Sequence, residues 1–236
     1  CLLIADHKSV DKQIHIFNKN DFSYLTSIGN FGEGPEEITV MGCLAIDEAH
    51  HQLYVSDHAK QKIFSYDMDS VMVDSLYKPQ VKTAMNETLF PSEYQYINDT
   101  LSIAVLIKPT STSTFNQFLG RWNMNTGEMI PMKYTHPDIQ KKRITFAASE
   151  KAGIYVECYT RHDLMTICSL DGELLYNIYG PDWDGGNGNK LQSFGTVMIG
   201  NDKIFVSYCG EDYARDSFPT KILVFDLKGN NLKTLE

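Results

Sequence analysis

No run of about 18 apolar residues occurs in the 236-residue chain, so no segment is long and apolar enough to cross a membrane as a helix. Positive charge is scarce: 21 Lys and Arg stand against 30 Asp and Glu, a formal charge of -9. Phosphate binding needs a basic stripe, so nucleic acid and anionic lipid are excluded as expected partners. Lys141, Lys142 and Arg143 form one basic cluster, expected to be a solvated loop. No Pro/Gly/Ser-rich linker divides the chain, which predicts a single domain over residues 1–236. Cys1, Cys43, Cys158, Cys168 and Cys209 contain no C-x-x-C pair, which removes the usual zinc and thioredoxin spacings. Cys158 and Cys168 are expected on neighbouring strands but out of register for a disulfide, and all five cysteines read as small buried hydrophobes. Neither a Gly-x-Ser-x-Gly elbow nor a His-Glu-x-x-His pattern is present, so acyl transfer and zincin chemistry lack their markers. The chain opens on a strand pattern rather than a signal peptide. Cys1 invites a lipid anchor in a full-length form, whereas Leu2-Leu3-Ile4 has the pattern of core rather than tether.

What the chain does contain is a repeat. LLIADH at 2–7 returns as LYVSDH at 53–58, LSIAVL at 101–106, IYVECY at 154–159 and IFVSYC at 204–209, a period of about fifty residues. A second apolar segment follows each copy: Ile14 to Phe17, Ile63 to Tyr66, Leu119 to Trp122, Met165 to Cys168 and Ile222 to Phe225. A short polar residue comes next (Asn18, Asp67, Asn123, Ser169, Asp226), suited to starting a turn by bonding the backbone two residues on. Further strands are expected at Gly42 to Ile46, Tyr94 to Ile97, Ile144 to Ala148 and Thr196 to Ile199. Four short strands per fifty residues, repeated without helices, define an all-β protein of β-propeller type with four-stranded antiparallel blades. Five blades are expected, at 1–30, 38–77, 93–134, 143–180 and 195–236. The first lacks its innermost strand, giving nineteen strands of twenty. A five-bladed ring one strand short and part of a six-bladed ring, truncated at both ends, both fit that count.

Between the first two units lies Ile28-Gly29-Asn30-Phe31-Gly32-Glu33-Gly34-Pro35-Glu36-Glu37-Ile38, followed by CLAIDEAHHQLYVSDHAKQKIFSYD. Over residues 28 to 67 this resembles the NHL-type repeat, and more closely the six-bladed TolB-like propellers of Bacteroidetes secreted proteins and lipoproteins. The resemblance implies six blades in the complete protein, export to the periplasm or the outer-membrane surface, and no particular activity, because such propellers include binding platforms and a few lyases.

Three groups of residues are candidate sites. The glycine stretch at 29 to 35 is followed by a strand and carries Glu33, Glu36 and Glu37, so it is expected to turn the chain between blades rather than hold phosphate. Asp182, Asp184 and Asn187, within DWDGGNGN at 182–189, offer hard oxygen ligands for calcium; the competing expectation is an ordered surface turn. Asp6-His7 and Asp57-His58 occupy equivalent places and either share a metal or end their strands by bonding the next loop. The long segments at 77–93, 107–118, 133–143, 180–195 and 210–221 are expected to gather on one face, with Arg161, His162, Trp183, Tyr213, Arg215 and Tyr159 as its ligand-binding residues. The expected function is a non-catalytic binding module of the cell envelope recognising a protein or carbohydrate, without cofactor. The alternatives are a metal-dependent lyase or hydrolase with its site at the central channel, and a structural assembly subunit.

Overall fold

The computed structural model describes residues 1–74, 76–140, 142–187, 193–210 and 221–236. The chain forms two compact units, one of Cys1–Phe115 with Gly120–Ile130, the other of Asn116–Leu119 with Pro131–Glu236.

Nineteen strands and one helix make five sheets among the described residues. The first sheet has three strands, β1 (Leu2–Ala5), β2 (Lys12–Phe17) and β3 (Tyr24–Asn30). The second has β4 (Met41–Asp47), β5 (Gln52–Asp57), β6 (Lys62–Asp67) and β7 (Gln80–Ala84), with the helix α1 (Met68–Val73) inserted before its last strand. The third has β8 (Phe90–Asn98), β9 (Leu101–Pro109), β10 (Phe115–Trp122) and β11 (Met129–Pro131). The fourth has β12 (Ile144–Ser149), β13 (Ile154–Tyr159), β14 (Leu164–Ser169) and β15 (Leu174–Tyr179). The fifth has β16 (Phe194–Gly200), β17 (Lys203–Tyr208), β18 (Lys221–Asp226) and β19 (Asn231–Leu235). In every sheet the strands lie side by side in chain order. The strand count and the three-stranded first sheet match the repeat pattern.

Within each unit the first strands of consecutive sheets are neighbours, β4 beside β8 in one and β12 beside β16 in the other. Side chains at matching places join them: the Cys43 thiol donates to the Tyr94 carbonyl at 3.2 Å, and the Thr145 hydroxyl to the Gly195 carbonyl at 2.5 Å. First strands side by side, with apolar sheet faces stacked, are the blade relation of a β-propeller. The first unit packs Ile14, Ile16 and Ile28 against Leu53, Val55 and Phe64. The second packs Ile154, Val156, Cys158 and Ile167 against Val197, Ile204, Val206 and Phe225. The middle strands β5 and β13 are buried on both faces, which explains their continuous apolar runs.

The glycine stretch turns the chain between sheets. Gly29 has φ +73°, and the Gly32, Gly34 and Glu37 carbonyls converge on the Lys60 ammonium at 3.4, 2.6 and 2.5 Å. The Glu37 carboxylate accepts from the Gly34 N–H at 2.8 Å. Lys60 supplies in one charge what three carbonyls at a tight turn would otherwise seek from water.

Several expectations are corrected. The helix α1 breaks the all-strand pattern: the Asp67 carboxylate, expected only to start a turn, accepts from the Ser70 N–H at 2.7 Å and caps the helix. Residues 107–118 do not form a long loop, because β9 and β10 extend into it and Ser111 and Thr114 close a short turn, and 77–93 is not a long loop either, because β7 and the start of β8 lie within it. Lys142 is not solvated but buried against Glu157. Cys158 faces Met165 and Cys168 faces Tyr155, so the two are out of register as expected; all five cysteines are free, and Cys1 is exposed.

Candidate functional site

Alternation along β13 sends Ile154, Val156 and Cys158 into the apolar cluster of the second unit and puts Tyr155, Glu157 and Tyr159 on the other face. On that face Lys142 Nζ lies 3.3 and 3.2 Å from the two Glu157 oxygens, and the Tyr159 hydroxyl donates to Glu157 at 2.9 Å. Lys142 and Glu157 are 6% and 1% exposed, so the pair is desolvated and each charge depends on the other. The ammonium also stands 5.8 Å from the Tyr159 ring centre.

From Tyr159 a series of rings leads outward. His162 lies 6.4 Å from Tyr159 and 6.4 Å from Trp183; Trp183 lies 5.3 Å from His136 and 5.0 Å from Tyr179. His136 Nδ1 accepts from the Asp138 N–H at 3.3 Å, which places its proton on Nε2, 3.1 Å from the Tyr179 hydroxyl. Trp183 is carried by the turn after β15, where Gly186 has φ +82° and lies so close to the chain at Asp138 that a Cβ there would stand 2.4 Å from the Asp138 carbonyl oxygen. The segments around His136 and Trp183 are therefore packed backbone to backbone, and Trp183 is held rather than free.

Burial lowers the pKa of His136 below the ordinary 6.5, with Asp138 opposing and Lys142 adding to the shift. Burial likewise lowers His162, opposed by Asp184 and reinforced by His136 and Arg161, and its Nδ1 is enclosed without a partner among the described residues. Both imidazoles are neutral in the folded protein at pH 7. The unfolded chain takes up these protons first as pH falls. Stability is therefore expected to decline as pH drops below about 6.5 through the lowered folded values. Denaturant midpoints between pH 7.5 and 5 measure this, and His136→Gln with His162→Gln should flatten the slope.

The structure thus brings together Tyr159, His162 and Trp183 from the sequence-derived face. Tyr159 forms its buried floor rather than its surface, and Arg161 is exposed at its edge. Tyr213 and Arg215 lie outside the described residues. Asp182 and Asp184 are exposed in the same turn, where Asn187 donates to the Asp184 carbonyl at 3.4 Å and the Asp182 N–H bonds Asp163 at 2.9 Å. Residues 188–192, which include the end of that motif, lie outside the described residues.

The two Asp-His pairs sit elsewhere. Asp57 is fully buried and accepts from the N–H groups of Thr39 (2.8 Å), Val40 (3.2 Å), Ala59 (3.0 Å) and Lys60 (3.2 Å). Asp6 accepts from the Lys8 N–H at 3.0 Å. His58 is packed by Phe90 and Gly42, its Nε2 enclosed without a partner among the described residues, and burial lowers its pKa against the pull of Asp57. His7 is exposed. Among the described residues, the metal-ligating side chains that do converge, with ligand atoms within 4.8 Å of one another, are Asp47, His50 and Asp99. Burial raises the Asp47 carboxyl, but bonds from His50 and Tyr96 outweigh it and hold the group below 3.8. Lys82 shares the lining of the adjoining cavity of about 290 Å³, a cation that opposes a second one. This cluster and His136 escaped the sequence reading. The cluster's available signal was Asp47 and Asp99, about one repeat apart, one ending β4 and the other just after β8.

The described sheets and their stacking define a β-propeller. Residues 1–105 match the model of a family described as a 6-bladed beta-propeller. No curated protein matches the chain. Among solved structures, BamB from Moraxella catarrhalis is similar at a TM-score of 0.48 and 9% sequence identity, over 98% of this chain and 57% of that one. The chain therefore spans less than two thirds of that protein's length.

Proposed function

We propose that the protein is a non-catalytic binding module of the cell envelope that recognises a protein or carbohydrate through the face around Trp183. The supporting observation is the ring cluster of Trp183, Tyr179, His136 and His162, with Trp183 5.0 Å from Tyr179 and 5.3 Å from His136, beside the exposed Arg161 and Asp184. The Tyr179 and Trp183 rings, backed by the buried imidazoles of His136 and His162, shed water at small cost, and sugar faces and peptide side chains stack on such rings, while Arg161 and Asp184 add directional bonds. Tyr213 and Arg215 belong to the same proposal. So do six blades in the complete protein, a TolB-like or NHL-like ancestry among Bacteroidetes proteins, export to the periplasm or outer-membrane surface, and a lipid anchor in the full-length form.

The chain has two tryptophans, and Trp122 is 2% exposed, so ligand-dependent changes in tryptophan emission report mainly on Trp183. Glycan and peptide arrays should yield ligands that shift this emission, and Trp183→Ala or Tyr179→Ala should weaken them at least tenfold. Ligands that bind both variants as tightly as the parent would place recognition elsewhere.

A further inference from the structure

A second site lies in the other unit, where the repeat is broken. The last two strands of the fourth and fifth sheets are joined by residues 170–173 and 227–230, but in the second sheet residues 68–79 stand between β6 and β7. This insertion folds as α1 and a following segment, and Val71 anchors it in the core. Together with β3 and the glycine turn it encloses a cavity of about 450 Å³. That volume lies within the range of about 300–1,000 Å³ usual for small-molecule sites. Extra length at a place where a tight turn suffices elsewhere needs a reason beyond chain connection.

The lining states what would fit. Tyr66, a side chain 2% exposed, lines the cavity, and its enclosed hydroxyl has no hydrogen-bond partner among the described residues. A buried polar group left unpaired is costly, so an occupant that accepts from it gains what the empty site forgoes. Tyr77, 6.3 Å away ring to ring, accepts from the Asp67 N–H at 3.0 Å, which leaves its own proton to donate. Burial and the neighbouring Tyr77 raise the Tyr66 pKa strongly, so the Tyr66 phenol keeps its proton as a donor. The charged lining has both signs: Lys12 and Lys78 on one hand, Glu36, Glu37 and Asp74 on the other. Lys78 and Glu36 pair at 2.8 Å and tie the insertion to the glycine turn.

We infer that the α1 insertion builds a binding site for a small zwitterion of the α-amino-acid class. The phenol and ammonium donors serve the ligand's carboxylate, and the acidic lining serves its ammonium. A simple anion would meet the three carboxylates, and a simple cation would leave Tyr66 unsatisfied. This site is independent of the Trp183 face.

Saturation-transfer NMR of the whole chain with a mixture of the twenty L-amino acids tests it, with acetate and ethylamine as singly charged probes. One or a few amino acids should receive saturation, and acetate and ethylamine none. Tyr66→Phe should weaken that binding at least tenfold while its unfolding temperature holds or rises, because only an unpaired hydroxyl is lost. Asp74→Asn, a change at an exposed residue, should weaken it severalfold. No transfer to any amino acid, equal transfer to acetate, or undiminished binding by Tyr66→Phe would overturn the assignment.

Discussion

Glu157→Ala is expected to cost about 3–5 kcal/mol of folding stability, because it strands the Lys142 ammonium inside the protein. Lys142 is 6% exposed and has Glu157 as its counter-ion at 3.2 Å. The Tyr159 hydroxyl, which donates to the same carboxylate at 2.9 Å, loses its acceptor too. The pair itself is worth little against a well-packed apolar equivalent, since its attraction is offset by the desolvation of both ions. Lys142→Met combined with Glu157→Leu should therefore recover most of the loss. Urea midpoints of the two single variants and the double variant measure the coupling. A single-variant cost below about 1 kcal/mol would mean that water reaches Lys142.

Asp57→Ala should be nearly as damaging, by about 3 kcal/mol or more. The carboxylate is 0% exposed and accepts four backbone N–H groups, from Thr39, Val40, Ala59 and Lys60, with the Lys60 ammonium 3.9 Å away. Each charge-assisted bond of this kind contributes about 1.5–3 kcal/mol, and donors left buried and unpaired add their desolvation cost. The loss would release two turns together, the one entering β4 and the one leaving β5. Asp57→Asn keeps an acceptor oxygen and should lose less. A chelator added to the parent protein tells this account from a metal-binding role: matching destabilisation by chelator would reassign Asp57 as a ligand.

The strands were legible because their causes are local and repeated. An apolar middle strand and a polar residue that starts a turn recur at each period, with a glycine to complete the turn in three of the five, and the paired registers follow them closely, Gln52 opposite Asp67 and Ile154 opposite Ser169. What escaped has no periodic trace. Asp67 occupies the same turn-starting place as Asn18 and Asp226, yet here it caps a helix, and the difference lies in Val71 reaching the core. Residues 110–114 are rich in Ser and Thr and read as loop, though the flanking strands extend into solvent where no apolar alternation is needed. The Trp183 face was half visible: residue types pointed to His162 and Trp183, but His136 comes from a segment with no pattern of its own. Glu157 did leave a mark. Where it stands, the other four copies of the repeat carry Ala5, Ser56, Ala104 and Ser207, all small and uncharged. A large ion at a position the repeat keeps small is a signal that can be read before any coordinates.

The two-faced character of β13 also bears on how the second unit reaches its native pairing. Its neighbours on either side could, by backbone bonding alone, accept it one residue out of step. Such a slip would carry Glu157 into the cluster of Ile204, Val206 and Phe225, and turn Val156 towards Lys142. An apolar strand without that ion would pay much less for the same error. Glu157 therefore selects against a misfolded pairing during assembly, a role separate from any stability it lends the finished protein.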